Sequence, residues 1–188
     1  MTDEIYKSFL ATRKAAKAHR YYPQQAGIYA FFLTDGIRLP NFGQEEKLIY
    51  IGIAKDSMKD RDFEQHFRSG QSGRSTLRRS LGAILKNQLG LAAIPRGGAN
   101  DSKRFDNYRF TEIGENALTN WMGNNLEVGY WVPGQVLPYS DLRDKEKEVT
   151  MRYLPILDLD RRTKKYNKYA TKLDLLRKAC KLETRSNG

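Results

Sequence analysis

Two tyrosines occupy similar places in two short apolar runs. Tyr29 lies in Gly27-Ile28-Tyr29-Ala30-Phe31-Phe32-Leu33, and Tyr50 lies in Leu48-Ile49-Tyr50-Ile51-Gly52-Ile53. If the runs are paired strands, both phenols stand side by side over one face of a sheet. A phenol beside a cation gives up its proton more readily than one in water, which lets it act as a base. Arg61 and His66 follow within one further segment. The planar fork of a guanidinium suits phosphate oxygens, and an imidazole accepts or relays a proton near neutral pH. Beyond them, Arg74, Arg78, Arg79 and Lys86 surround another segment, and a second basic run from Arg161 to Lys181 carries Tyr166 and Tyr169. Cations contact phosphates and tyrosine rings stack on bases, so both segments read as nucleic-acid surfaces. Together these residues suggest proton transfer next to a phosphate.

The elements that must position them follow from local pattern. The two apolar runs read as strands joined by a long polar loop, most simply an antiparallel hairpin. A weakly amphipathic basic helix is expected over 3–20, and another from about Ser57 to Phe67 carries Arg61 and His66. Ser75 reads as the N-cap of a helix through Leu77, Leu81, Ile84 and Leu85, with the cations on its other sides. A short strand is expected over Tyr108 to Ile113, a helix over Glu115 to Asn125 and a strand over Leu126 to Val132. Ser140 should cap a helix that runs to Leu154 and stops at Pro155, and a further short helix is expected around Leu173 to Cys180. This predicts an α+β domain, a small three-stranded antiparallel sheet flanked by helices. Its parts are an N-terminal basic helix over 1–25, a core over 26–158 and a basic C-terminal extension over 159–188.

Composition narrows the partner. Lys and Arg outnumber Asp and Glu by 33 to 22, a formal charge of +11. A positive field of that size favours phosphate backbones, whose neutralisation releases condensed counterions. DNA is the expected partner, with RNA open. One cysteine and two histidines exclude an internal disulfide, a multi-cysteine zinc site and a histidine cage. No apolar run approaches the ~18 residues of a membrane span, and the first twenty residues lack the apolar centre of a signal peptide. The expected setting is intracellular and cytoplasmic, away from membrane.

Gly27-Ile28-Tyr29 and Tyr50-Ile51-Gly52, in that order on two predicted strands, are the tripeptides that name the GIY-YIG nuclease superfamily. The chain resembles that superfamily over roughly residues 26 to 158, and Ser75-Thr76-Leu77-Arg78-Arg79-Ser80-Leu81-Gly82 resembles one bacterial branch of it. The resemblance implies an endonuclease that hydrolyses phosphodiester bonds in DNA with a divalent ion, Mg²⁺ or Mn²⁺. Such hydrolysis needs a deprotonated water, neutralised phosphoryl oxygens and help for the leaving alkoxide. The family pattern implies that one of Tyr29 and Tyr50 is the general base while the other orients water or phosphate. It implies that Arg61 contacts the scissile phosphate, that His66 assists, and that Glu146 is the metal ligand on the last core helix.

Three departures stand out. His66 follows Arg61 by five residues rather than the frequent four, and Asp158 stands where relatives often carry asparagine. The loop between Thr34 and Lys47 is also longer than in the compact pattern; it either reaches over the substrate or is simply tolerated. Two further readings remain open: a nucleic-acid-binding module that kept the fold and lost catalysis, and a protein-interaction domain for acidic partners.

Overall fold

All seven residues of Gly27–Leu33 are buried, a pattern that belongs to a central strand covered on both faces. The computed structural model describes residues 1–19, 22–42, 47–58 and 66–186. Within them the chain runs α1 (Thr2–Thr12), β1 (Lys14–Ala15), β2 (Gly27–Leu33), β3 (Leu48–Ala54) and α2 (Thr76–Leu89). It continues through β4 (Ala93–Pro95), β5 (Tyr108–Phe110), α3 (Glu112–Asn125), β6 (Leu126–Trp131), α4 (Tyr139–Tyr153) and α5 (Ala170–Ser186), with short 3₁₀ turns at Ala16–Ala18 and Lys164–Tyr166. The chain is α+β, and β1-β6-β2-β3 form an antiparallel sheet.

That sheet has four strands rather than the expected three. The added strand, β1, lies inside the segment expected to be helical over 3–20. The helix ends at Thr12, whose hydroxyl meets the edge of β6: Oγ1 accepts from Tyr130 N at 2.8 Å and lies within donating distance of both Ser8 O, at 2.7 Å, and Tyr130 O, at 2.9 Å. Lys14 and Ala15 then pair with Val128 and Glu127. Local propensity did not contain this outcome, since the partner strand lies more than a hundred residues away. The expected strand at Tyr108 exists as well, but in a separate two-stranded ribbon with Ala93–Pro95.

The alternation of β2 sends its side chains to two cores. Ile28, Ala30 and Phe32 meet Ile5 and Phe9 of α1 and Leu142 and Val149 of α4. Tyr29, Phe31 and Leu33 face the opposite cluster, with Leu77 and Leu81 of α2, Leu118 and Met122 of α3, and Leu173 and Cys180 of α5. Thus α5 is an integral layer of the structure and longer than the expected Leu173 to Cys180. The hairpin loop is held down too: Leu39 and Phe42 are buried, and the Phe42 ring lies 5.2 Å from that of Tyr169.

Caps set the helix ends. Ser75 Oγ accepts from Arg78 N at 3.1 Å, as the N-cap reading expects. The expected cap at Ser140 is not made; α4 begins after Pro138, and Ser140 Oγ donates to Asp141 Oδ1 at 3.0 Å. At the other end Leu154 takes a left-handed conformation, φ 45°, ahead of Pro155. The reversal brings Leu157 N onto Ile49 O at 2.8 Å. Ile49 is the residue left over where the β2–β3 register shifts, between the Phe31–Tyr50 and Phe32–Leu48 pairs. The expected helix from Ser57 to Phe67 falls mostly outside the described residues, and Arg61 with it.

Candidate active site

The β2–β3 register sets Tyr29 opposite Gly52 and Phe31 opposite Tyr50. A Cβ on Gly52 would collide with Cζ and Oη of Tyr29, so the tyrosine ring lies across the bare backbone of the neighbouring strand. The glycine of the second tripeptide is therefore the space that receives the tyrosine of the first. A Cβ on Gly27 would likewise strike the Met58 side chain and the Trp131 carbonyl. With Gly52 open, the Tyr29 and Tyr50 rings come within 6.3 Å of each other at a tilt of 34°. Tyr29 is fully buried and Tyr50 only partly.

His66 completes this cluster. Its Nε2 lies 2.9 Å from Tyr29 Oη, its Nδ1 lies 2.8 Å from Ser75 Oγ, and the residue is 1% exposed. With the proton on Nδ1, the ring donates to Ser75 and leaves Nε2 as an acceptor for the Tyr29 phenol. Ser75 thus has two tasks, capping α2 and fixing the imidazole. Only the first was visible from sequence.

Arg78 holds the same histidine from behind. Its guanidinium donates to His66 O at 2.9 Å, to Ser72 Oγ at 3.2 Å and to Glu115 Oε2 at 2.6 Å. Glu115 is equally satisfied, accepting from Ser72 Oγ at 2.9 Å and from Phe110 N at 3.1 Å. Arg78 is 0% exposed, which removes it from the expected phosphate-contact set. Helical position alone did not reveal this: α2 packs between α3 and α5 and has no solvent face at Arg78.

The other cations of α2 divide. Arg79 is 7% exposed, and its guanidinium donates to Ser72 O at 3.1 Å and Gly73 O at 2.8 Å. Burial, then the charge of Arg177, pushes it down to about 10, while Tyr50 and Tyr108 act in the other direction. Lys86 pairs with Glu183 of α5 at 3.1 Å, and Arg74 is exposed.

Glu146 lies on α4, nearly buried, with its Oε2 2.5 Å from the Arg162 guanidinium. Arg162 also donates from Nε to Asp160 Oδ1 at 2.9 Å and from its NH1 group to Arg143 O at 3.1 Å. Burial holds the Glu146 carboxyl above the usual carboxylate range despite Arg162, and nearby Asp160 and Asp158 add to the effect. Burial raises Asp158 as well. The backbone just before Asp158 is tied to the tyrosine strand, because Leu157 N donates to Ile49 O of β3 at 2.8 Å.

A family model described as the GIY-YIG catalytic domain matches residues 25–179. The chain belongs to the GIY-YIG family. Its match covers most of the chain and runs well past Asp158 into α5. No curated protein and no solved structure matches the chain.

GIY-YIG nucleases generally depend on a divalent metal, and the residues of this domain fit one of the single-carboxylate kind. Among the described residues no three His, Cys, Asp or Glu side chains are gathered as a metal cage. Mg²⁺ does not need one, since it keeps most of its waters and takes one or two carboxylates. Glu146 has the oxygen donor such an ion takes, and in this structure that carboxylate is paired with Arg162. Among the described residues, no helix is long and apolar enough to cross a membrane. The sequence reading missed Ser75 as a histidine partner and Arg162 as the partner of Glu146. The first had a local signal, a serine nine residues after His66; the second, sixteen residues beyond Glu146 across a chain reversal, had none.

Proposed function

We propose that this GIY-YIG domain is a divalent-metal-dependent endonuclease that cuts DNA, with Tyr29 as the general base. The observation that carries the reading is the buried chain from Tyr29 Oη through His66 to Ser75 Oγ. A phenol alone is a weak base at neutral pH. Coupled to an imidazole, it takes a proton from the attacking water as it hands its own to His66 Nε2. Ser75 keeps the Nδ1 proton in place, and the Arg78 bond to His66 O fixes the backbone. Tyr50, partly exposed, orients water or phosphate at the mouth of the pair. Arg61 remains the proposed phosphate contact.

When bound at Glu146, the metal ion supplies positive charge for the phosphoryl oxygens and the leaving alkoxide. The remaining work belongs to the protein: moving one proton, holding the phosphate and excluding other geometries. The net charge and the exposed Arg74 provide non-specific attraction to the duplex. A second reading, DNA binding without cleavage, is favoured by the Arg162 hold on Glu146. Nicking of supercoiled and branched DNA in Mg²⁺ distinguishes the two. The enzyme reading expects wild-type nicking that falls by about a hundredfold or more in Tyr29→Phe and Glu146→Ala at matched DNA binding. Tight binding with no cut in either Mg²⁺ or Mn²⁺ leaves only the binding module.

A further inference from the structure

We infer that Arg162 is a resident cation on Glu146 that competes with the divalent ion, so that metal loading requires its guanidinium to turn away from this carboxylate. The inference rests on Glu146 as the metal ligand. Its physical basis is the ion pair that occupies the carboxylate, with the Arg162 guanidinium 2.5 Å from Glu146 Oε2. Among the described residues, Arg162 also pairs with Asp160, at 2.9 Å. Among the described residues, Arg162 is the cation paired with Glu146. Glu146 is nearly buried, and in its ionised form an unpaired charge there is costly. Arg162 supplies that pairing in the metal's absence.

The geometry also provides for release. Arg162 does not depend on Glu146 for its place. Its Nε and one terminal nitrogen straddle Asp160 at 2.9 and 3.1 Å, its other terminal nitrogen reaches Arg143 O, and its own backbone N–H caps Asp160 Oδ1 at 2.8 Å. The terminal nitrogen on Glu146 Oε2 is shared with Asp160 Oδ2, so the exchange breaks the bond to Glu146 and leaves that nitrogen to Asp160. The side chain is about a quarter exposed, which leaves it room to move toward solvent. Held on Asp160 at the rim of the site, the displaced guanidinium stays available to an incoming phosphate.

The test is Mn²⁺ binding without DNA, read by electron paramagnetic resonance of free and bound ion and by the shift in thermal midpoint on adding Mg²⁺. The proteins are the full chain, Arg162→Ala, Arg162→Lys and Glu146→Gln. Arg162→Ala is expected to bind Mn²⁺ roughly tenfold more tightly than wild type, a common size for changes around a metal ligand. Its Mg²⁺-dependent midpoint shift should grow in step. Arg162→Lys, which keeps the charge, should remain within a few fold of wild type and serves if the alanine variant does not fold. Equal or weaker Mn²⁺ binding in Arg162→Ala, with Glu146→Gln abolishing it, overturns the competition alone and makes Arg162 a supporting residue. Unchanged binding in Glu146→Gln overturns the ligand reading and the competition with it.

Discussion

The imidazole of His66 is the hinge of the site, since it touches the buried phenol on one side and the α2 cap on the other. His66→Ala removes the proton acceptor but not the phenol. The expected result is a fall in kcat of about a hundredfold, with DNA affinity unchanged. A kinetic series at several pH values checks it, and an unaltered rate would reduce His66 to packing. Glu146 carries a different prediction. Its carboxyl titrates above the usual range because burial opposes the charge. The uncharged form is thus favoured in the folded protein. That contribution to stability is full below the ordinary carboxylate pKa and is lost as pH rises through the raised one. Glu146→Gln should therefore match wild type in thermal midpoint near pH 4 and exceed it near pH 7.5, while losing activity. A lower midpoint at both values would mean that the Arg162 pair outweighs the burial.

At the scale of elements, α2 is where a basic sequence pattern and the packed structure part company. Four cations spaced around one helix read as a DNA surface, yet Arg78 is sealed against Glu115 and Lys86 is tied to α5. Replacing Arg78 with methionine strands the buried Glu115 charge, which costs about 3–5 kcal/mol. Urea denaturation measures it, and the double variant with Glu115→Leu should recover a substantial part of the loss. A second element, the end of α4, stores a little strain at Leu154. Leu154→Gly relieves a left-handed conformation worth roughly 1–2 kcal/mol and should raise the midpoint without altering nicking.

For the whole molecule, the relevant quantity is the salt dependence of DNA binding. A chain with a formal charge of +11 should lose affinity steeply and linearly on a log–log plot against salt. Removing the exposed Arg74 should reduce that slope by about one, if it neutralises a phosphate. Folded Arg78 variants should leave the slope alone, because their guanidinium never faced solvent. Equal slope changes at both positions would contradict the burial. The same layers explain why the basic C-terminal segment is structural as well as charged: Leu173 and Cys180 are buried while the surrounding lysines stay on the outer side.

The sequence by itself determined the pieces with short reach. Gly27–Leu33 and Leu48–Ala54 are strands because apolar and aromatic residues follow one another without interruption. Ser75 caps α2 because its side chain finds a backbone N–H three residues on. Gly27 and Gly52 entered the sequence reading only as parts of the two tripeptides, and the pairing of Tyr29 with Gly52 gave the second glycine its reason. Tertiary structure decided what depended on distant partners. It ended α1 early at the β6 edge, turned Arg78 inward, joined His66 to Ser75 and placed Arg162 on Glu146. A charge on a helix is compatible with a solvent face or a buried pair, and only the opposing element selects between them.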